Sequence, residues 1–286
     1  MKVLVVCAAV TFTNLVNIGF SKSMINQKVT ITQIKDVEPY VDKLSQKYGK
    51  DSVCMVYDID NTLITNNGKY ASERWTYWQQ SEGNHHAKHL LKDKNANIYD
   101  FLNAVRYFIN YSTVEKDTVQ IVNKLQSDHR SIALTSRGFS AEATTLRQLR
   151  FNGIDFTKNP IGSREFDASF LNQNKYKNDY TMYSNGIQYA AGGDKGELLY
   201  NLIKKEREKT DNPNLCQALI YIDDTSSKVD MIDNKLKNKF SYYAIHYTYL
   251  PDPEDKNNWQ PDNWHKESSK VQQLVDFLNT TSHLAL

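Results

Sequence analysis

The fold is decided by a twelve-residue stretch that reads Ser52-Val53-Cys54-Met55-Val56-Tyr57-Asp58-Ile59-Asp60-Asn61-Thr62-Leu63. Its first half is a continuous, mostly apolar run, which is typical of a strand buried on both faces of a sheet. Two aspartates, Asp58 and Asp60, follow where this strand should end. Because residues i and i+2 of an extended chain face the same way, we expect both carboxylates to converge on one point.

On either side of this stretch, short apolar runs alternate with segments of helical spacing. The pattern predicts further strands at 131–135, 217–222 and 241–247, and helices at 113–127, 140–151 and 196–209. Ser140 is the expected N-cap of the second helix, and Gly153 follows its end. Apolar strands separated by helices indicate an α/β fold, a Rossmann-like parallel sheet with helices on both faces and right-handed crossovers.

Two stretches interrupt this alternation within a single domain that we expect over residues 24–286. Residues 66–112 contain aromatic-rich helical segments, which we interpret as a small helical cap inserted after the first strand. Residues 154–193 contain a predicted β-hairpin that turns at Asn185-Gly186, since Asn-Gly between apolar runs is a strong two-residue turn signal. Both insertions are candidate covers of a site. An amphipathic helix is predicted near the end of the chain, at Val271, Leu274, Val275 and Leu278.

The first 23 residues have the order of a secretory signal peptide. Lys2 is followed by an unbroken apolar run from Val3 to Val10, and small residues at Ser21 and Ser23 have the spacing of a cleavage site. A buried strand over residues 3–6 is the alternative. Polar residues after the run argue against a permanent membrane span, which needs about 20 mostly apolar residues. We therefore expect a bacterial protein that is exported to the periplasm or secreted.

The overall charge excludes one class of function. The 286 residues carry 35 basic and 33 acidic side chains, a formal net charge of +2. Residues 1–23 contribute Lys2 and Lys22 and no acid, so the remainder has 33 of each sign. A protein that coats nucleic acid needs a clear basic excess to neutralise phosphates, so we expect no nucleic-acid partner.

The two cysteines that would remain after cleavage are predicted to be free thiols. Cys54 lies four residues before Asp58, and Cys216 lies seven residues before Asp223. If the two strands align at these aspartates, the cysteines are offset by three residues, or about 10 Å along a strand. This offset exceeds the reach of a disulfide, so we predict two buried thiols even in an oxidising compartment.

Residues whose side chains could take part in catalysis or ligand binding fall into four clusters, three at predicted strand ends and one at a helix start. They are Asp58 to Thr62, Thr135-Ser136-Arg137, Gly192-Gly193-Asp194-Lys195-Gly196 and Asp223-Asp224. Ligands of an open α/β sheet bind beyond the carboxyl ends of its strands. Carboxylates there can hold Mg²⁺, while a hydroxyl and a lysine can bind the oxygens of a phosphate.

In this order, the four clusters resemble the motifs of the haloacid dehalogenase (HAD) superfamily of phosphatases, over about residues 52–247. The resemblance implies a Mg²⁺-dependent phosphomonoesterase in which Asp58 is a metal ligand and the nucleophile that forms an aspartyl-phosphate. Asp60 is then the general acid/base, with its main-chain carbonyl on the metal. An aspartate at this second position favours a phosphatase over a pump-like relative.

The remaining roles follow from the same resemblance. Asp223 and Asp224 match the other metal ligands, and the phosphate site is assigned to Thr62, Thr135, Ser136 and Lys195, with Thr62 also steadying the loop after the nucleophile. The substrate would be a small-molecule or phosphoprotein phosphate ester. Secreted bacterial acid phosphatases carry an acidic residue where this chain has Asn61, so the resemblance to them is partial.

Two other functions remain open. The fold can serve as the scaffold of a binding or effector protein without significant turnover, and a phosphotransferase would use the same covalent chemistry. Nucleophile elbows of the Gly-x-Ser-x-Gly type, Walker loops and Gly-x-Gly-x-x-Gly motifs are absent from the sequence.

A few further residues have two interpretations each. His85, His86 and His89 have helical spacing for a zinc site or a substrate contact, but they lack the metalloprotease glutamate and suit a solvated helix face better. Trp75, Tyr77 and Trp78 can stack an aromatic leaving group, although packing in the cap is favoured. Arg137 suits a phosphate contact or a surface salt bridge, and His246 suits a core position.

Overall fold

A computed structural model describes residues 23–66, 71–81, 98–162, 167–173 and 179–260, together with 262–264, 266 and 273. Residues 1–22 of the predicted signal, the three histidines between 85 and 89, and the apolar positions of the predicted C-terminal helix lie outside these residues. Within the part of the chain that is described, no helix has both the length and the apolar composition needed to cross a bilayer.

Eight strands form the central sheet. They are β1 (Asn26–Ile31), β2 (Val53–Tyr57), β5 (Arg130–Thr135), β6 (Asp167–Gln173), β7 (Tyr180–Ser184), β8 (Ile187–Tyr189), β9 (Ala218–Asp223) and β10 (Ser241–Tyr247). Their order across the sheet is β1-β10-β9-β2-β5-β8-β7-β6. The first six in this order run parallel, and β7 and β6 pair antiparallel at one edge. This arrangement confirms the predicted α/β fold.

Helices cover both faces of the sheet. They are α1 (Glu38–Tyr48), α2 (Glu73–Ser81), α3 (Ile98–Phe108), α4 (Thr118–Asp128), α5 (Glu142–Phe151), α6 (Lys195–Thr210) and α7 (Ser226–Leu236). Strand β2 shows why two layers form, because Met55 packs into one apolar core while Cys54 and Val56 pack into the other. A strand buried on both faces needs the continuous apolar run that the sequence has there.

A second, two-stranded ladder ties the ends of the cap stretch together. Strand β3 (Ile64–Thr65) pairs antiparallel with β4 (Ser112–Thr113), so residues 66–112 leave and re-enter the core at one place. Helices α2 and α3 belong to this stretch. The hairpin formed by β7 and β8 turns at Asn185-Gly186, as predicted, and its strands extend the central sheet beyond β5.

Two predicted helices begin later than the sequence pattern suggested. The helix predicted from residue 113 starts at Thr118, because residues 112–113 form β4. The helix predicted from residue 140 starts at Glu142 after a 3-10 turn. Ser140 is not its N-cap, since its hydroxyl donates to Asp179 Oδ2 at 3.1 Å.

The prediction of two free thiols is wrong, because Cys54 and Cys216 form a disulfide with a Cα–Cα distance of 5.1 Å. The assumed alignment of the strands is correct, since Cys54 lies opposite Leu219. The error was to extend β9 backwards to residue 216. The strand begins at Ala218, and Cys216 has a left-handed φ of 53°, so the chain leaves the strand direction there and reaches Cys54.

Candidate active site

The site lies where β2, β5 and β9 end side by side. Tyr57 at the end of β2 is opposite Ala133 on one side and Ile222 on the other. The next residue extends this pairing, because Asp58 N–H donates to Ile222 O at 2.9 Å. The parallel register therefore brings Asp58 next to Asp223, the last residue of β9.

A tight loop follows Asp58 and is held by the neighbouring strand end. Asn61 has a left-handed φ of 56°, and its N–H donates to Ile64 O at 2.8 Å, which closes the loop. Thr62 is fully buried; its Oγ1 accepts from Asp224 N–H at 3.1 Å and donates to Asp224 Oδ1 at 3.3 Å. Thr62 thus joins two of the predicted clusters and supports the loop.

Lys195 bridges the two aspartates at the strand ends. It is the first residue of α6, whose N-cap Asp194 accepts from Glu197 N–H at 2.8 Å. Its Nζ donates to Asp58 Oδ1 at 2.6 Å and to Asp223 Oδ2 at 2.7 Å, and all three side chains are buried. Burial alone would lower the pKa of Lys195, but the two adjacent carboxylates raise it overall, so the ammonium is charged.

The pKa values of two acids in the site are shifted from their usual range. Burial raises the pKa of Asp58 to about 7, against the opposing effect of Lys195. Burial and the nearby carboxylates also raise the pKa of Asp224 well above its usual range. Asp223 is held by hydrogen bonds from the Tyr221 hydroxyl and, at 2.9 Å, from Thr225 N–H. The site thus gathers three acids around one lysine, and the raised pKa values of Asp58 and Asp224 favour the uptake of protons there.

The donor set fits a divalent cation. Asp58, Asp223 and Asp224 each present a carboxylate oxygen, and these oxygens lie within 4.8 Å of one another. Oδ2 of Asp224 is buried and has no hydrogen-bond partner among the described residues, which is costly for a carboxylate unless a cation binds it. Hard oxygen ligands of this kind suit Mg²⁺ or Ca²⁺.

Asp60 has a partner that the sequence analysis did not predict. Arg137 Nε and Nη2 donate to the two carboxylate oxygens of Asp60, both at 2.8 Å. Arg137 Nη1 is held in turn by Thr145 Oγ1 at 3.0 Å and Gln148 Oε1 at 2.9 Å. Burial would raise the pKa of Asp60, but the guanidinium of Arg137 lowers it to about 2. Arg137 therefore forms a buried ion pair and not the surface salt bridge that was one of its two interpretations.

Replacing Arg137 with methionine should destabilise the fold, because it leaves the carboxylate of Asp60 buried without a partner. We expect a loss of about 3 kcal/mol in the free energy of unfolding, measured by urea denaturation at pH 7. The double variant Asp60→Asn with Arg137→Met should recover part of this loss, since no buried charge remains. Equal stability of the Arg137→Met variant and the wild type would contradict the ion pair.

The other predicted phosphate ligands lie in the loop after β5. Thr135 is buried, and its Oγ1 accepts from Arg137 N–H at 3.1 Å. Ser136 O accepts from Gly192 N–H at 2.9 Å, which ties this loop to the turn before Lys195. Gly192 has a φ of 71°, so this turn requires a residue that tolerates the left-handed region. All four predicted clusters therefore meet at one edge of the sheet.

A cavity of about 200 Å³ opens between the cap and the core, and Asp60 is the residue of the Asp58–Asp60 pair that lines it. Its lining includes Asp60, Ser136 and Lys228 from the core, and Glu73, Tyr77 and Arg106 from the cap. No sequence pattern points to Glu73 or Arg106 as site residues. Asn61 Nδ2 donates to Glu73 Oε2 at 3.0 Å and so connects the loop after β2 to α2.

The structure also places three residues that had two interpretations each, namely Trp75, Trp78 and His246. Trp75 and Trp78 are buried in an apolar cluster of the cap, in agreement with the packing interpretation. His246 is partly buried, with its side chain 25% exposed, and its Nε2 lies 3.1 Å from Asp224 O. It lies next to the site and not deep in the core.

Comparison with known proteins identifies a family but no activity. A family model described as "Protein of unknown function (DUF2608)" matches residues 30–281, so the chain belongs to that family. No curated protein and no solved structure matches the chain.

Proposed function

We propose that this member of the DUF2608 family is a HAD-type, Mg²⁺-dependent phosphomonoesterase. The observation that carries the proposal is Lys195, which donates to both Asp58 and Asp223 while Asp224 presents a third carboxylate beside them. A purely structural ion pair needs one acid for one base. Three acids around one buried lysine instead suit a site that binds a cation and a phosphate together.

Asp58 is the proposed nucleophile. Its Oδ2 attacks phosphorus while the ester P–O bond breaks, which gives an aspartyl-phosphate and the free alcohol. Lys195 holds Oδ1 of the same carboxylate at 2.6 Å and so fixes its orientation. Water then attacks the phosphorus, the bond from phosphorus to Asp58 breaks, and phosphate is released. Thr135, Ser136 and Lys195 are the proposed ligands of the phosphate oxygens.

Asp60 is the proposed general acid and base. It would give a proton to the departing alcohol and take one from the attacking water. The ion pair with Arg137 keeps Asp60 ionised, which suits the base step. To serve as acid, Asp60 must first take up a proton from solvent, which the ion pair opposes; we propose that the pair weakens when the phosphate, a competing anion, binds.

Asp58, Asp223 and Asp224, with the main-chain carbonyl of Asp60, are the proposed ligands of Mg²⁺. When bound, the ion would offset the charge of these acids and of the phosphate. The buried disulfide between Cys54 and Cys216 supports the proposal that the protein is exported, since disulfides persist in oxidising compartments. The proposed substrate is a phosphate monoester.

The proposal predicts that the purified protein, tested from residue 24 onward, releases phosphate from para-nitrophenyl phosphate in the presence of Mg²⁺. Chelation with EDTA should reduce the rate to background, and added Mg²⁺ should restore it. The variant Asp224→Asn should need a higher Mg²⁺ concentration for half-maximal activity, because it loses one charged ligand. Absence of phosphate release from a broad panel of monoesters, with several divalent metals, would contradict the proposal.

A further inference from the structure

The last described part of the chain crosses from the core to the cap. We call residues 251–260 together with Trp264 the strap. Trp264 is only 2% exposed, and its ring centre lies 5.4 Å from that of Trp78 in α2. Trp75 from α2 and Leu102 from α3 belong to the same apolar cluster. The strap therefore shares a small core with both described cap helices.

Polar contacts attach the strap to one face of α2. Arg74 Nη2 donates to Pro251 O at 3.0 Å. Burial, with a smaller contribution from the nearby carboxylate of Glu254 in the strap, raises the pKa of the Tyr77 hydroxyl. Residues 74, 77 and 78 have the spacing i, i+3 and i+4 in α2, so their side chains lie on one face of the helix. That face also leads to the cavity, because Tyr77 lines it.

The same strap is attached to the core at the beginning of α7. Ser226 donates to Asp252 Oδ2 from its N–H at 3.1 Å and from its Oγ at 3.0 Å. Ser227 Oγ donates to Glu254 Oε1 at 3.1 Å, and Glu254 lines the same cavity as Tyr77 of the cap. Helix α7 starts two residues after Asp224 of the candidate metal site. The strap thus links α2 to the part of the core that carries the acids.

We propose that the strap fixes α2 on the core, and that Trp264 is a positioning residue that limits the site to small phosphate esters. A fixed α2 holds Glu73 and Tyr77 as a constant wall of the cavity. At about 200 Å³ this cavity is smaller than the roughly 300–1,000 Å³ of pockets for drug-sized ligands. It accommodates a small leaving group but not the main chain on both sides of a phosphorylated residue. The limit on substrate size rests on the proposed phosphatase function.

Hydrogen exchange of the full protein tests the strap without reference to activity. The variant Trp264→Ala should raise the exchange rates of the α2 amides by about tenfold or more, because α2 loses its attachment to the core. The variant Glu254→Ala should act in the same direction, and it leaves the fold intact since Glu254 is exposed. Exchange in β2 should not change. The matched control is Phe108→Ala, an aromatic residue of α3 that is 81% exposed.

Substrate discrimination tests the size limit, with free phosphoserine as the small ester and a phosphoserine peptide, which has the same leaving group, as the large one. We expect wild-type kcat/KM to be at least about 100-fold higher for the small ester, and Trp264→Ala to narrow this ratio about tenfold. Equal exchange rates of the α2 amides in Trp264→Ala and Phe108→Ala would contradict the proposal that the strap fixes α2. Equal kcat/KM of the wild type for both probes would contradict the size limit. If neither probe is hydrolysed, the proposed function is contradicted instead. The hydrogen-exchange comparison would still show whether the strap holds α2 on the core.

Discussion

The variant Asp58→Asn should lose phosphate release by about 10⁴-fold or more in kcat. Asparagine keeps the size of the side chain and its place beside Lys195, but its amide cannot attack phosphorus. The fold should tolerate the change, because burial raises the pKa of Asp58 to about 7. A large fraction of this side chain is therefore already protonated and uncharged at neutral pH, as asparagine is. The effect is therefore expected in the chemical step and not in stability.

Two measurements make this test specific. Steady-state phosphate release gives the rate, and acid quenching with labelled substrate shows whether a phosphorylated protein accumulates. The matched control is Asp230→Asn, which removes an exposed ion pair with Lys28 and should leave both measurements unchanged. Full activity of Asp58→Asn, in a preparation free of other hydrolases, would refute a covalent intermediate on Asp58.

Loss of the disulfide between Cys54 and Cys216 should reduce the free energy of unfolding by about 2–5 kcal/mol. The two cysteines are 162 residues apart, so the bridge closes a long loop and restricts the unfolded chain strongly. It also joins β2, which Asp58 follows directly, to the segment just before β9, which ends at Asp223. Urea denaturation of the double variant Cys54→Ala with Cys216→Ala measures the effect.

The reduced wild-type protein is the control for this prediction. It lacks the bridge but keeps both sulfur atoms, so it separates the cross-link from the cavity that two alanines leave. Reductant should lower the denaturation midpoint of the wild type and leave the double variant unchanged. Peptide mapping after alkylation should recover residues 54 and 216 in one linked peptide pair, and free thiols at both positions would show that the bridge does not form.

The sequence predicted those features of the site that depend on where strands end. Carboxyl ends of parallel strands meet at one edge, so Asp58, Thr135 and Asp223 could be placed together from apolar runs alone. The expectation that Lys195 joins these residues came from the resemblance to HAD phosphatases, because a lysine at the start of a helix is usually solvated. Contacts between distant side chains were beyond reach, because no local pattern connects Arg137 with Asp60, or Asn61 with Glu73.

By itself, the sequence determined the α/β class, the strands β2, β5, β9 and β10, and the four clusters that meet at the sheet edge. Apolar periodicity reports burial, and it needs no knowledge of distant residues. Only the tertiary structure decided the disulfide, where a left-handed residue at Cys216 turns the chain away from the strand direction. It also decided the buried pairing of Asp60 and the packing of Trp264 on Trp78, because these contacts depend on how separate elements pack together.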